Sequence, residues 1–129
     1  MSGPHPLRAL ETVALIAIGG FAGANLRFLI ARVLPGAGGT LLVNVAGSFV
    51  LGFVLYEARY TGILTERARL VLATGFLSSL TTYSTFALQT TLLARPLWMV
   101  ANVLATYALG FSGVLAGRTL ARRVGGGDR

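Results

Sequence analysis

The sequence has no cysteine and no lysine, only four acidic residues (Glu11, Glu57, Glu66 and Asp128), and a single histidine, His5, among 129 residues. Each shortage closes off a class of chemistry. Without cysteine there is neither a disulfide framework nor a thiolate metal site. One histidine near the amino end leaves no Ser/His/acid set, and no phosphate-binding loop is present, so an enzyme is not expected. The scarcity of acids leaves eleven arginines unbalanced and a formal charge of +7. A basic chain invites a nucleic-acid reading, but most of these arginines stand just outside apolar stretches rather than along one helical face. They read as membrane flanks, and no nucleic-acid partner is expected.

What the chain has in quantity is apolar length, with 54% of its residues hydrophobic. Apolar stretches near bilayer length recur four times, roughly over 12–34, 40–56, 70–93 and 97–117, within one membrane domain covering 1–129. Pro35 and "GAGG" (Gly36 to Gly39) form the first connection, "EARYTGILTER" the second and "ARP" (Ala94 to Pro96) the third. Arg8, the run Val13 to Ile18 and "AGA" (Ala22 to Ala24) imitate a cleaved secretory leader, but the apolar pattern resumes after Arg27 and the length suits a span. Small residues recur at four-residue spacing (Gly19/Gly23, Ser48/Gly52, Gly113/Gly117), which lets helix backbones approach closely in lipid. Arg8, Arg59, Arg67, Arg69, Arg118, Arg122, Arg123 and Arg129 fall on one side, against Arg27, Arg32 and Arg95 on the other. The positive-inside rule then places both termini in the cytoplasm.

Polar groups inside the apolar stretches are the chemical signal. "SSLTTYSTF" (Ser78 to Phe86) carries seven hydroxyls in eight positions. Serine and threonine in a membrane helix satisfy themselves on the preceding turn, which accounts for one or two of them. Seven imply either glue between helices or a break lined by water, because irregular backbone at membrane depth must be covered or wetted. Asn44 is the one amide among the aliphatics of the second span. It is either a helix-to-helix bond or an NH₂ donor aimed at an anion. Arg27, two-thirds along the first span, either snorkels outward or draws anions to a vestibule. The four acids fall at ends or loops, so the interior offers donors and no negative charge. That favours an anion over a cation as the traveller.

At these residues the chain resembles the Fluc (CrcB) family of small fluoride channels. The resemblance rests on "GGFAGANLRF", "GTLLVNVAGSFVLGF" and "TGFLSSLTTYSTFALQT", in order and at the family's spacing across nearly the whole chain. It implies an all-α membrane protein of four transmembrane helices, the third broken near its middle, assembled as an antiparallel, dual-topology dimer. It implies passive fluoride export across the inner (plasma) membrane, protecting the cell from fluoride, with membrane lipid and a second subunit as partners. A structural sodium ion would be held by the backbone carbonyls of Ser78 and Thr81. The fluoride path would use Asn44, the ring edges of Tyr83 and Phe86, and the hydroxyls of Ser84, Thr85 and Thr106, with Arg27 in the vestibule.

Three departures stand out from the family's Gly-Gly-Phe-Thr-Thr-Phe-Ser-Thr-Phe pattern and its continuation. Ser78 and Ser79 replace two glycines, Tyr83 replaces a phenylalanine, and Gln89 stands where a glutamate is usual. Together with the uneven arginines they raise a second reading, a subunit paired with an oppositely inserted homologue in place of a homodimer. Two further classes compete: a cation exporter of the small multidrug-resistance type, and a non-conducting structural subunit.

Overall fold

The computed structural model describes residues 5–126, so Asp128 and Arg129 of the charge count lie outside the described residues. Helix α1 spans Pro6–Val33 and α2 spans Ala37–Tyr60. The third crossing is composite. It comprises α3 (Glu66–Arg69), a π-wound segment (Leu70–Leu77), α4 (Ser78–Leu80) and, after two extended residues, α5 (Tyr83–Leu92). Helix α6 closes the chain at Pro96–Val124. Among the described residues there is no strand, and four helical stretches are long and apolar enough to cross a membrane. The chain is therefore an all-α, multi-pass membrane protein whose third span is broken as expected.

The helices run beyond the apolar stretches at most ends. Proline opens both α1 and α6 at the first turn, where its missing N–H has no helical partner to lose. The first connection is shorter than the glycine run implies. Only Gly36, at φ 85°, turns the chain, and Gly38 and Gly39 already belong to α2.

Two backbone-to-backbone contacts hold the bundle. Helix α1 packs on the π-wound segment, with Gly19 and Gly23 against the carbonyls of Val71 and Phe76. Gly75 returns the contact: a Cβ there would come within 2.6 Å of the Ile16 carbonyl oxygen. Helices α2 and α6 lie side by side and parallel, with Gly52 against Val114, and Gly113 and Gly117 against Val45 and Phe49. The four-residue small-residue faces are the packing faces. Close backbone approach replaces the hydrophobic drive that lipid does not supply. Val43, Leu77 and Leu80 form a small core that locks the third span onto α2 just before the break. Large apolar side chains such as Phe21, Val33, Leu97 and Phe111 point outward, as a lipid-facing surface requires.

The start of α1 and the end of α6 lie at one end of the bundle, with the connection between α2 and α3. Arg67 pairs with Glu11 at 2.9 Å, and the Arg118 guanidinium sits 5.0 Å above the Tyr56 ring. One expectation is corrected here. Glu57 does fall at a helix end, but it is buried, with 1% of its surface exposed. The chain after α2 folds back over it. Its Oε1 accepts from the Thr61 hydroxyl at 2.7 Å and the Leu64 N–H at 3.0 Å, and its Oε2 faces Arg69 at 3.3 Å. Sequence position alone placed it outside; the returning loop puts it inside.

These contacts predict a sharp contrast between glycines. A Cβ on Gly117 would press on the Phe49 carbonyl and come within 2.7 Å of the Phe53 nitrogen, whereas one on Gly38 meets nothing within 4 Å. Gly117→Ala should destabilise the fold by about 1–3 kcal/mol through overpacking. Gly38→Ala should be neutral or gain up to about 1 kcal/mol of helix propensity. Thermal unfolding of the two variants in detergent measures the difference.

Candidate functional site

The break in the third span is built by two consecutive threonines. Thr81 has ψ 153°, and Thr82 has φ −152° and ψ 126°, both extended backbone. Extended backbone at this depth exposes polar groups that lipid cannot satisfy. Asn44, facing the break from α2, takes both of those on Thr82. Its Nδ2 donates to the Thr82 carbonyl at 3.0 Å, and its Oδ1 accepts from the Thr82 N–H at 2.8 Å. Gly47, one turn further along α2, leaves room for the Thr81 methyl that any larger residue would strike.

The clamp redirects the helix's own bonds. In a continuous α-helix the Thr82 N–H would close on the Ser78 carbonyl, and the Thr85 N–H on the Thr81 carbonyl. Here Asn44 takes the first, and the Thr82 hydroxyl caps the second at 3.2 Å. The carbonyls of Ser78 and Thr81 thus lose their helical donors at the same break. Among the described residues no cluster of His, Cys, Asp and Glu is placed to hold a metal ion.

Two cavities meet at Thr82, which lines both. The larger, about 390 Å³, is bordered by Asn44, Ser78, Thr81, Tyr83, Phe86 and Thr106 and is open to the surface. The smaller, about 260 Å³, is bordered by Arg27, Thr40, Thr85 and Gln89. Tyr83 stands at the rim of the first, 72% exposed, and Phe86 lies behind it, 8% exposed. Their ring centroids are 5.8 Å apart and tilted by 52°. Phe86 in turn meets the Tyr107 ring edge to face, at 6.4 Å and 87°. A polar chain steadies this part of α5. Asn102 Nδ2 donates to the Thr90 hydroxyl at 2.8 Å, and that hydroxyl donates to the Phe86 carbonyl at 2.7 Å.

The structure brings most of the residues singled out from sequence together, but with changed duties. Asn44, Tyr83, Phe86 and Thr106 share the larger cavity, and Arg27 and Thr85 the smaller. Ser84 borders neither; its hydroxyl lies 3.3 Å from that of Thr82. The hydroxyl crowd is largely satisfied locally, with Ser78 on the Ala73 carbonyl at 3.3 Å and Thr81 on the Leu77 carbonyl at 3.0 Å. By contrast, Thr106 Oγ1 and Gln89 Oε1 are buried with no protein partner, one on each cavity. Thr82, Gly47 and Tyr107 were not singled out. Thr82 carried a readable signal, a threonine three residues before Thr85 at a helix start, the pattern of a side-chain cap.

The family model described as "CrcB-like protein, Camphor Resistance (CrcB)" matches residues 14–118. The chain is 53% identical to the fluoride-specific ion channel FluC 1 of Haloarcula marismortui, across the whole of both proteins. It is 52% identical to FluC 2 of Halobacterium salinarum, over 96% of this chain and 98% of that one. It is 55% identical to FluC 1 of Natronomonas pharaonis, over 87% of this chain and 95% of the relative. The resemblance legible in the three sequence motifs is borne out, and the chain belongs to the CrcB family.

Proposed function

We propose that the chain forms a fluoride-selective channel that lets fluoride leave the cell passively across the inner (plasma) membrane, protecting the cell from its toxicity. The observation that carries this reading is the clamped break at Thr82, where a cavity edged by aromatic rings meets one that holds an arginine. Fluoride is small and tightly hydrated. A pathway must replace its water with several weak donors, because one strong site would hold it. The second amide hydrogen of Asn44, the Thr106 hydroxyl, and the positive edges of Tyr83 and Phe86 are such donors. Thr85 continues the path into the Arg27 cavity, whose charge gathers anions at the entrance. That the usual glutamate is Gln89 leaves this charge uncancelled.

The working unit is an antiparallel, dual-topology dimer. The open side of the larger cavity needs a second subunit to close it, and the exposed Ser84 joins the path only beneath such a cover. The donor-deprived carbonyls of Ser78 and Thr81 suit a sodium ion shared with the second subunit. Such an ion would offset the carbonyl dipoles brought together at the break. Serine in place of glycine does not alter this chemistry, since the ligands are main-chain oxygens.

The uneven arginines support a second reading, an obligate pair with an oppositely inserted homologue. Among the described residues seven lie at the terminal end (Arg8, Arg59, Arg67, Arg69, Arg118, Arg122, Arg123) and three at the other. The cation exporter is not favoured by the correction at Glu57. Both of its oxygens are committed to the protein's own donors, so it is no free site for proton or cation exchange.

Three measurements test the proposal. Liposomes holding only this polypeptide should release fluoride and not chloride, with release slowed when sodium is replaced by a large organic cation. No release from the lone polypeptide, restored by an oppositely oriented homologue, would establish the paired reading instead. Asn44→Ala removes two bonds worth about 1 kcal/mol each, so release should fall roughly ten- to a hundredfold. Arg27→Gln should slow release at low fluoride and recover at high fluoride, with the difference shrinking in high salt as the charge is screened. Loss at all concentrations alike would remove Arg27 from the entrance.

A further inference from the structure

Glu57 has no part in the proposed path, yet with Val54 it is one of the two largest fully buried side chains among the described residues. Its partner Arg69 is the last residue before the π-wound segment. We infer that the Glu57–Arg69 pair is a positioning device. It sets the register of the third span along α2, and so fixes where the break meets Asn44. The conduction half of this inference rests on the channel reading; the register half stands without it.

The argument is one of matched lengths. Besides the small apolar core, two polar links tie the third span to α2: Arg69 to Glu57 at one end, and Thr82 to Asn44 at the other. Thirteen residue steps lead from Asn44 to Glu57, and thirteen from Arg69 to Thr82. On α2 that interval is regular helix, about 20 Å at ~1.5 Å per residue. On the third span it includes the extended steps after Leu80. Ordinary α-winding up to that point would make it about 23 Å, at ~1.5 Å per helical and ~3.3 Å per extended residue. The π-wound stretch takes up this excess. Its wider turn advances less per residue, because the distance between successive Cα atoms is fixed. Ser78 ties off its far end by donating to the carbonyl of Ala73, five residues back.

A register device is needed here because the neighbouring contact supplies few stops. Along the π-wound segment α1 presents Gly19 and Gly23 to backbone atoms, and Gly75 presents the same to α1. Backbone lying against backbone resists separation but carries no large knobs to arrest sliding. A slip of one residue would turn Thr82 by about 100° away from the Asn44 amide. Glu57 holds the origin of the winding, and its bonds to Thr61 and Leu64 hold the carboxylate in turn.

The absence of cysteine makes the register directly measurable. A Cβ built on Gly47 lies 3.8 Å from the Thr81 Cβ, the mean separation across a disulfide. Gly47→Cys with Thr81→Cys also removes the methyl that would otherwise block the site, so the pair should be trapped readily by mild oxidation in membranes. In that background Glu57→Gln keeps an acceptor for Thr61 and Leu64 but loses the charge facing Arg69. Trapping within the chain should fall severalfold. Arg69→Leu should do the same, while Arg69→Lys, which retains a cation, should keep most of it. On the cysteine-free chain, Glu57→Gln should lower both fluoride release and the fluoride-to-chloride ratio severalfold per folded protein. No trapping in the parent pair, or trapping in Glu57→Gln at the parent's rate, overturns the register claim. Lost trapping with the parent's flux and selectivity overturns its link to conduction. A parent chain that passes no fluoride even beside an oppositely oriented homologue refutes the channel reading instead, and the trapping comparison still decides the register.

Discussion

A membrane interior supplies no water, so any departure from helical winding must find its hydrogen bonds within the protein. In this molecule that constraint falls first on Thr82, whose main-chain N–H and C=O are both taken by one side chain, Asn44. The amide matches a peptide group in both donor and acceptor, and its two bonds, 2.8 and 3.0 Å long, imitate a strand ladder of one rung. Without it the third span would gain by closing into a continuous helix. With it, two carbonyls are released, two cavities share a wall, and the aromatic rings of α5 start directly below an opening. Polar groups in lipid-embedded helices are commonly weak glue. Here the bond decides which backbone groups are free, and that reaches further than its strength.

Much of this was legible in the sequence, and the reasons are specific. The four spans follow from apolar length, and the packing faces follow from Gly19/Gly23 and Gly113/Gly117 because only small residues allow such approach. The broken third span follows from the family resemblance; the hydroxyls alone left a break and glue between helices both open. Asn44 was picked out as an isolated amide, but its partner was not, since a main-chain group carries no sequence label. The π-winding of "LVLATGFL" was invisible for a similar reason. No residue in it demands an extra member per turn, and the winding answers a length mismatch set by contacts at either end. Glu57 was misread because position along a helix says nothing about what folds back over its end.

The distribution of charge completes the picture. Within the bundle, donors outnumber fixed negative charges, and the one carboxylate buried among the described residues, Glu57, is taken up by its own neighbours. On the proposed path an anion would meet partial positive charge from amide, hydroxyl and ring edges, and the full charge of Arg27 at its entrance. Gln89 is consistent with this economy. An amide keeps the polarity of the smaller cavity without setting a carboxylate beside the arginine.

Helix α6 has 29 residues and so a length of about 43 Å, against a hydrocarbon layer of about 30 Å. Its surplus lies at the carboxyl end, where Arg118, Arg122 and Arg123 follow the last long apolar stretch. Arginine stems are flexible enough to reach upward or downward to the phosphate level. The helix is therefore suited to hydrophobic mismatch. A thicker or thinner bilayer shifts which turn meets the headgroups, while the α2–α6 seam and everything it supports keep their geometry.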